Sequence, residues 1–477
     1  MPLVLGVDSS TQATKVEIRD ADGGRLVASG RAPHPPTTPP RSEQQPDAWW
    51  QALLQAMRQA GRHDIAAMAV AGQQHGLVAL NAGRRVLRPA KLWNDTESAP
   101  EAEALLEQLG PVLWAQACGS VPVAAFTITK LAWLKNHEPQ TFARLAHVLL
   151  PHDWLTFRLT GRLVTDRGDA SGTGYWSPGE GRWRPDLLAL VDRSVDWIPR
   201  LPEVLSPTDT AGSVVTSLAA ELGLGTGEVL VGAGTGDNMA AALGVGLRAG
   251  DVAISLGTSG TVYAVCQRPT ADPTGAVAGF ADATGRFLPL VCTLNATKVS
   301  DAFARILGVD RETFDALALD ASPGADGLVL LPYLDGERTP NRPNATGVLT
   351  GLRSAVSREQ VARAAIEGVV CGLLDGLDAL TAAGVPVREG RVLLVGGGAR
   401  SPAYQRVLAD LIGRPVLVPE ASEHVAIGAC IQAAAVLHDR MPEEVAAEWQ
   451  SGAGHTVEPD LSVDSAAVRA AYAAARD

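Results

Sequence analysis

Val252-Ala-Ile-Ser-Leu256, Gly257-Thr-Ser-Gly260 and Thr261-Val-Tyr-Ala-Val265 read in succession as a strand, a turn of small residues and a second strand. The same form opens the chain, where the apolar Leu3–Val7 runs into the small polar turn Asp8-Ser-Ser-Thr11 and then into the alternating Lys15-Val-Glu-Ile-Arg19. Two β-hairpins of one design, one in each half, predict a duplicated α/β architecture that holds a ligand between the halves. The glycines of Gly244-Val-Gly-Leu-Arg-Ala-Gly250 suit a hinge between them.

Outward from these hairpins the pattern is regular. Asp22-Gly-Gly24 reads as another hairpin turn, into Arg25-Leu-Val-Ala28. Pro33–Pro40 reads as an extended loop in preference to a partner-binding polyproline segment, because a helix opens at Pro46 with Trp49, Trp50, Leu53, Leu54 and Met57 on helical spacing. Ala66–Ala71 is a short apolar strand that ends on Gly72-Gln-Gln-His-Gly76, the end at which α/β proteins place ligand contacts. Helices are expected around Glu101–Leu109 and Thr129–Asn136, and loops through the polar, glycine-rich Asp166–Gly181. Val229-Leu-Val-Gly232 restarts the strand pattern, leading to a small-residue turn, Ala233–Asn238, and a helix from Met239. Arg391–Val395 is a strand feeding Gly396-Gly-Gly-Ala-Arg-Ser401 and a helix from Ala403 to Leu411, and the Ala-rich stretches from Ala426 and from Ala466 are helical.

Composition narrows the function. With 477 residues the chain exceeds one ordinary core, and 46% apolar with 19% charged residues is a globular balance. The net charge of −12, with no basic block, argues against nucleic acid and anionic membrane as partners. None of the five lysines (Lys15, Lys91, Lys130, Lys135, Lys298) follows a glycine, which excludes a Walker A loop, and no G-x-G-x-x-G occurs among 49 glycines. Five well-separated cysteines in apolar surroundings read as buried thiols of a reducing compartment. Asp8 interrupts the N-terminus before a signal-like stretch can form and no run of 18 apolar residues follows, so a soluble cytoplasmic protein is expected.

Small turns allow backbone N–H groups to converge on an anion, and Ser and Thr add donors without bulk, so both hairpin turns and Gly396-Gly-Gly398 are candidate phosphate nests that need no lysine. Asp8 reads either as an Asx cap of its turn or as a carboxylate that holds Mg²⁺ beside phosphates. Asp237 reads either as a helix N-cap or as a base. Phosphoryl transfer to a hydroxyl uses one carboxylate for the proton and another for the metal, and these two suit the separate roles. Gln73, Gln74 and His75 either satisfy buried backbone groups or bind a polyhydroxylated ligand, and Trp93-Asn-Asp95 offers either an aromatic wall with polar contacts or a core tryptophan.

Read together, Gly6-Val-Asp8-Ser-Ser-Thr11, Gly72–Gly76, Leu92-Trp-Asn-Asp95, Thr129–Leu134, Leu150-Pro-His-Asp-Trp154, Leu159-Thr-Gly161, Gly234-Thr-Gly-Asp-Asn238, Ser255–Gly260, Leu331–Pro340, Gly347–Glu367 and Gly396–Ser401 resemble, in order and over nearly the whole chain, the FGGY carbohydrate kinases of the actin/hexokinase/Hsp70-like superfamily, most closely the xylulokinase branch. The resemblance implies an α/β fold of two ribonuclease-H-like domains with an interdomain cleft, residues 1–245 binding the sugar and 246–477 binding ATP. It implies ATP-dependent phosphorylation of D-xylulose to D-xylulose 5-phosphate with Mg²⁺. The alternatives are a related FGGY kinase for another ketose or polyol, such as ribulose or glycerol, or a non-catalytic sugar-sensing or actin-like protein. By the same resemblance Asp237 is the general base and Asp8 the acidic residue near metal and phosphates. Gln74 and His75 contact the sugar with Asn238, Trp93 and Asn94 beside them. Thr11, Gly257, Thr258 and Ser259 serve the phosphates, and Gly397, Gly398 and Ala399 the adenine side. A homodimer is implied as well. The chain departs from the family pattern at Ser10, where glycine is usual, at Gln74, where some xylulokinases carry an apolar residue, and at Ala125.

Overall fold

The computed structural model describes every residue except His63, Thr226 and Ser422. The chain forms two compact units. One comprises Met1–Gly246, Gln267–Leu288 and Glu423–Ser451; the other comprises Leu247–Cys266, Pro289–Ser422 and Gly452–Asp477. A single cut after residue 245 therefore does not separate them, because two later segments return to the first unit.

The first unit is built on strands β1 (Leu3–Ser9), β2 (Ala13–Asp20) and β3 (Leu26–Pro33), helix α1 (Pro46–Ala60) and strand β4 (Ile65–Gly72). Every residue of β1 is buried, and seven of the eight residues of β4 are too, which is why both read as apolar runs and not as alternating strands. In β2, by contrast, Lys15 and Arg19 lie on the more exposed face and Val16 and Ile18 on the buried one. α1 starts on Pro46, places Asp47 in its first turn and ends on Gly61 at φ 63°, with the buried Trp49, Trp50, Leu53, Leu54 and Met57 on one face. Farther along come α2 (Pro151–Thr160), β5 (Val164–Asp166), α3 (Arg167–Ser171), β6 (Thr210–Ser213), β7 (Leu230–Gly232), β8 (Thr235–Gly236) and α4 (Asp237–Gly244). The sheet order is β6-β7-β4-β1-β2-β3, with β8 also paired to β4. β1 is antiparallel to β2 and parallel to β4.

The second unit repeats that plan with β9 (Val252–Leu256), β10 (Gly260–Ala264), β11 (Phe287–Thr293), α5 (Thr297–Leu307), α6 (Arg311–Asp320), α7 (Arg358–Ala382), β12 (Val392–Val395), α8 (Pro402–Ile412) and β13 (Val416–Pro419). Helix α9 (His424–His438) then rejoins the first unit, and β14 (Gly454–Val457) completes the second. The order β11-β10-β9-β12-β13-β14 has the directions of β3-β2-β1-β4-β7-β6: an antiparallel meander, two parallel neighbours and an antiparallel edge. The duplicated α/β architecture expected from the two hairpins is thus the architecture found.

One region and one cysteine differ from the reading of the sequence. Asp166–Gly181 is buried from Gly168 to Ser177 and opens on a short helix, because the Asp166 carboxylate accepts the N–H groups of Gly168 and Asp169 and caps it. Its small, polar composition reflects close packing against neighbours, not a surface loop. Of the five free cysteines, four are buried and Cys292 is only partly so. Among the described residues, no helix is long and apolar enough to cross a membrane.

α9 packs at backbone distance. A Cβ on Gly6 of β1 would stand 2.1 Å from the Ala426 carbonyl oxygen, and one on Gly428 would stand 2.0 Å from that of Ala240 in α4. Glycine at these positions is what permits the helix to sit on the sheet and on α4.

Candidate active site

The first hairpin presents Asp8, buried, one residue from the end of β1. The turn closes without it: the backbone N–H and the hydroxyl of Ser10 both donate to the Ala13 carbonyl, at 3.0 and 2.9 Å. Asp8 is therefore not spent as a cap, and Ser10 has no left-handed backbone that glycine would be needed to relieve. Register places Lys15 opposite Asp8, and its ammonium lies 3.5 Å from Asp8 Oδ2 and 2.6 Å from Glu423 Oε2. Burial raises the Asp8 carboxyl to about 6 against the pull of Lys15. Asp8 Oδ1 is buried and accepts no hydrogen bond among the described residues.

β8 brings a second carboxylate to the end of β4, since Thr235 pairs with Ala71 and Gly236 with Gly72. Asp237 follows at once as the first residue of α4, with Gly236 as the N-cap. Its Oδ1 accepts from the backbone N–H and the amide of Asn238 at 2.8 and 3.1 Å, and the same amide donates to Gln74 Oε1 at 2.8 Å. Asp237, Asn238 and Gln74 thus form one chain, and a Cβ on Gly236 would strike Gln74 Cγ at 2.7 Å. Burial, followed by the charges of Asp8 and Asp169, pushes the Asp237 carboxyl up to about 7. A carboxylate crowded by like charge and poorly solvated is a stronger base than an exposed one.

His75 has a left-handed backbone, φ 65°, which is uncommon for a residue with a Cβ and frequent at functional sites. Its Nδ1 is 2.7 Å from the Gly172 carbonyl oxygen and its ring stacks on Phe126 at 5.0 Å between centroids. Gln73 is fully buried with both amide atoms unpartnered among the described residues, as is one side-chain atom each of Gln74 and Asn94. Unpaired buried amides of this kind are costly in a resting structure and are the groups a hydroxylated ligand would satisfy. Trp93 is not a core residue: it is 39% exposed and its indole N–H donates to Thr11 Oγ1 at 2.8 Å.

The remaining site residues of the sequence reading belong to the second unit. A cleft of ≈ 530 Å³ there is lined by Gly257 and Thr258 of the second hairpin turn, Thr297 of α5, Arg311 and Asp315 of α6, Gly397, Gly398 and Ser401, among others. That volume suits a small organic ligand. The Gly257 carbonyl accepts from Thr297 N–H and Oγ1 at 3.0 and 2.9 Å, so the turn is tied to the start of α5. Thr258 and Ser259 are exposed at the tip. Gly396 has φ 89°, and a Cβ on Gly398 would stand 2.6 Å from Thr297 Cγ2, whereas one on Gly397 would meet nothing within 4 Å. Gly398 is needed for packing, and Gly397 leaves the cleft open. Ala399 is buried behind it.

Sequence reasoning assigned no role to Lys15 or to a buried group of His152, Asp153, Asp166 and Asp169. The pairing of Lys15 with Asp8 was recoverable from hairpin register. The His152 group was not, because its members come from α2, β5 and α3 with no shared periodicity.

The profile of the FGGY family of carbohydrate kinases, N-terminal domain, matches residues 3–244, and that of the C-terminal domain matches residues 252–437. A xylulose kinase of Streptomyces rubiginosus is 49% identical over 460 residues, 96% of this chain and 92% of the relative. One of Streptomyces coelicolor is 50% identical over 456 residues, 95% and 92% of the two chains. The crystal structure of xylulose kinase from Bifidobacterium adolescentis superposes with a TM-score of 0.86 at 41% identity, covering 100% of this chain and 99% of that one.

Proposed function

This chain belongs to the FGGY family of carbohydrate kinases, and on that premise we propose that it transfers the γ-phosphoryl group of ATP to D-xylulose, giving D-xylulose 5-phosphate and ADP. What carries the reading is the alignment of a raised carboxylate, Asp237, with the amide chain of Asn238 and Gln74 at the end of β4. In it, residues 1–245 supply the sugar site and residues 246–477 the ATP site. Gln74, His75, Asn94, Asn238 and the wall of Trp93 hold the sugar. Asp237 accepts the proton of the terminal hydroxyl as that oxygen forms its bond to the γ-phosphorus and the bond to ADP breaks. The exposed Thr258 and Ser259, with Gly257 and with Thr11 of the first hairpin, offer hydroxyl and N–H donors to phosphate oxygens, and Gly397, Gly398 and Ala399 form the adenine side.

Mg²⁺ fits the first hairpin in one respect that can be checked: Asp8 Oδ1 is a buried carboxylate oxygen with no donor among the described residues. Asp8 would hold the ion directly or through water, and the ion would supply charge neutralisation of the phosphates. The free cysteines favour a reducing compartment, the cytoplasm.

The test is an ADP-release assay over D-xylulose, ribulose, gluconate and glycerol. D-xylulose is expected to give the highest kcat/KM, and a clear preference for any of the others overturns the substrate assignment. In the same assay His75→Ala should raise the sugar KM at least tenfold and leave the ATP KM within twofold; the reverse would remove His75 from the sugar site. The pH dependence has a definite sign. The base works ionised and burial raises it to about 7, so kcat/KM should fall as pH drops through about 7, by tenfold per unit below it. A profile flat down to pH 5 would deny Asp237 the role.

A further inference from the structure

Four buried ionisable side chains stand behind the sugar site, and none of them is a sugar or phosphate contact in the reaction just described. His152 Nδ1 lies 2.7 Å from Asp169 Oδ2, and Nε2 faces Asp153 Oδ1 at 3.3 Å and Asp166 Oδ1 at 3.9 Å, with the phenol of Tyr175 close to Asp153 and Asp169. Burial alone would lower His152, but the surrounding carboxylates, Asp153 and Asp169 foremost, outweigh it and lift it to about 9. Ion sets this deeply buried are seldom more stabilising than apolar residues of the same volume, and their better-attested use is to fix one geometry among several.

The geometry they fix is that of the site loops. His152 is wedged between the two of them: a Cβ on Gly72 would stand 2.9 Å from His152 Cβ, and one on Gly234 would stand 2.8 Å from its Cδ2. Asp166 Oδ2 accepts from Thr235 Oγ1 at 2.7 Å, two residues before Asp237, while both Asp166 oxygens cap α3. α3 ends beside Gly172, whose carbonyl takes His75 Nδ1, and a Cβ on Gly172 would lie 2.5 Å from the His75 ring. On the far side Gln432 of α9 donates to the Gly234 carbonyl at 3.1 Å. One short capped helix therefore holds the residue that turns His75 and, through its cap, the loop that carries Asp237.

We infer that Asp166, held by the backbone N–H groups of Gly168 and Asp169, is a positioning residue for the phosphoryl transfer, and that its bond to the Thr235 hydroxyl sets Asp237 relative to His75. A loop displaced by about an ångström at this point misplaces the base against the hydroxyl, which appears in kcat and in sugar KM and leaves ATP binding alone.

The experiment compares Thr235→Val and Thr235→Ala, which remove the hydroxyl with and without its bulk, against Thr235→Ser, which keeps it. Both apolar variants should lose at least tenfold in kcat, with a raised sugar KM and an ATP KM within twofold of wild type, and Thr235→Ser should stay within about threefold on every constant. Wild-type kcat in either folded apolar variant overturns the inference. So does a Thr235→Ser enzyme as impaired as Thr235→Ala, which would make the role one of packing. The inference rests on Asp237 being the base, and Asp237→Asn assayed alongside separates the two: an active Asp237→Asn overturns that assignment, whereas an inactive one beside a fully active Thr235→Ala overturns the brace alone.

Discussion

Asp237→Asn should lower kcat by 10²- to 10⁴-fold, the range attributed to general base catalysis, or about 2.7–5.4 kcal/mol of barrier. The amide keeps the acceptor oxygen that now receives the Asn238 N–H, so the chain to Gln74 survives and sugar and ATP affinities should remain within a few-fold by calorimetry. Stability should move the other way. The folded state disfavours the ionised Asp237, through burial and through Asp8 and Asp169, and so its contribution is most favourable at low pH and is lost as pH rises through about 7. A neutral amide removes that loss, so at pH 8 the variant should melt no lower than wild type. Such a pairing of lost turnover with retained or improved stability is expected of a strained functional residue. Turnover within tenfold of wild type would refute the assignment of the base.

A large structural effect should come from Gly428→Ala. In an ordinary helix interior this change stabilises by about 1 kcal/mol. Here the new methyl would stand 2.0 Å from the Ala240 carbonyl oxygen and 2.7 Å from its carbon, backbone atoms that cannot rotate away. Relief requires α9 to lift from α4. Overpacking of a well-fitted interior costs typically about 1–3 kcal/mol, and a clash with main chain lies at the upper end, so a net loss of about 3 kcal/mol is expected, or roughly 6 °C or more in Tm. Gly227→Ala is the control. Its methyl would meet nothing within 4 Å, and the melting temperature should not fall. Equal Tm values for the two variants would mean that α9 and α4 are not packed as described.

The legible parts of the fold are those whose signal is local. The hairpins at 3–19 and 252–265 announce themselves by an apolar run, a small turn and an alternating run, and their repetition implies the duplicated sheet before any tertiary contact is known. α1 is equally plain from Pro46, its apolar face and Gly61. At the site, the strand-end positions of Gln74 and Asp237 are readable, because polar residues that close a buried apolar strand stand where sheets of this kind meet their ligands. The rest depends on partners remote in the chain. Asp166, Asp169 and His152 look like ordinary surface residues until Thr235 is brought to them, and the polar, glycine-rich composition of Asp166–Gly181 imitates that of a loop because glycine serves close packing as well as turns. Nothing in the Ala-rich stretch from Ala426 says that it packs under β1.

That last arrangement has a bearing on synthesis. β1 leaves the ribosome long before α9, and Gly6 receives its cover only when Ala426 and Cys430 have been made. At about 5–20 residues per second the interval is roughly 20–80 s. During it the nascent first unit has an apolar sheet face bare and an entire second unit to produce. The chain is in this sense stitched shut from its C-terminal side, and a transcript truncated before α9 would release a product whose first sheet has no way to close.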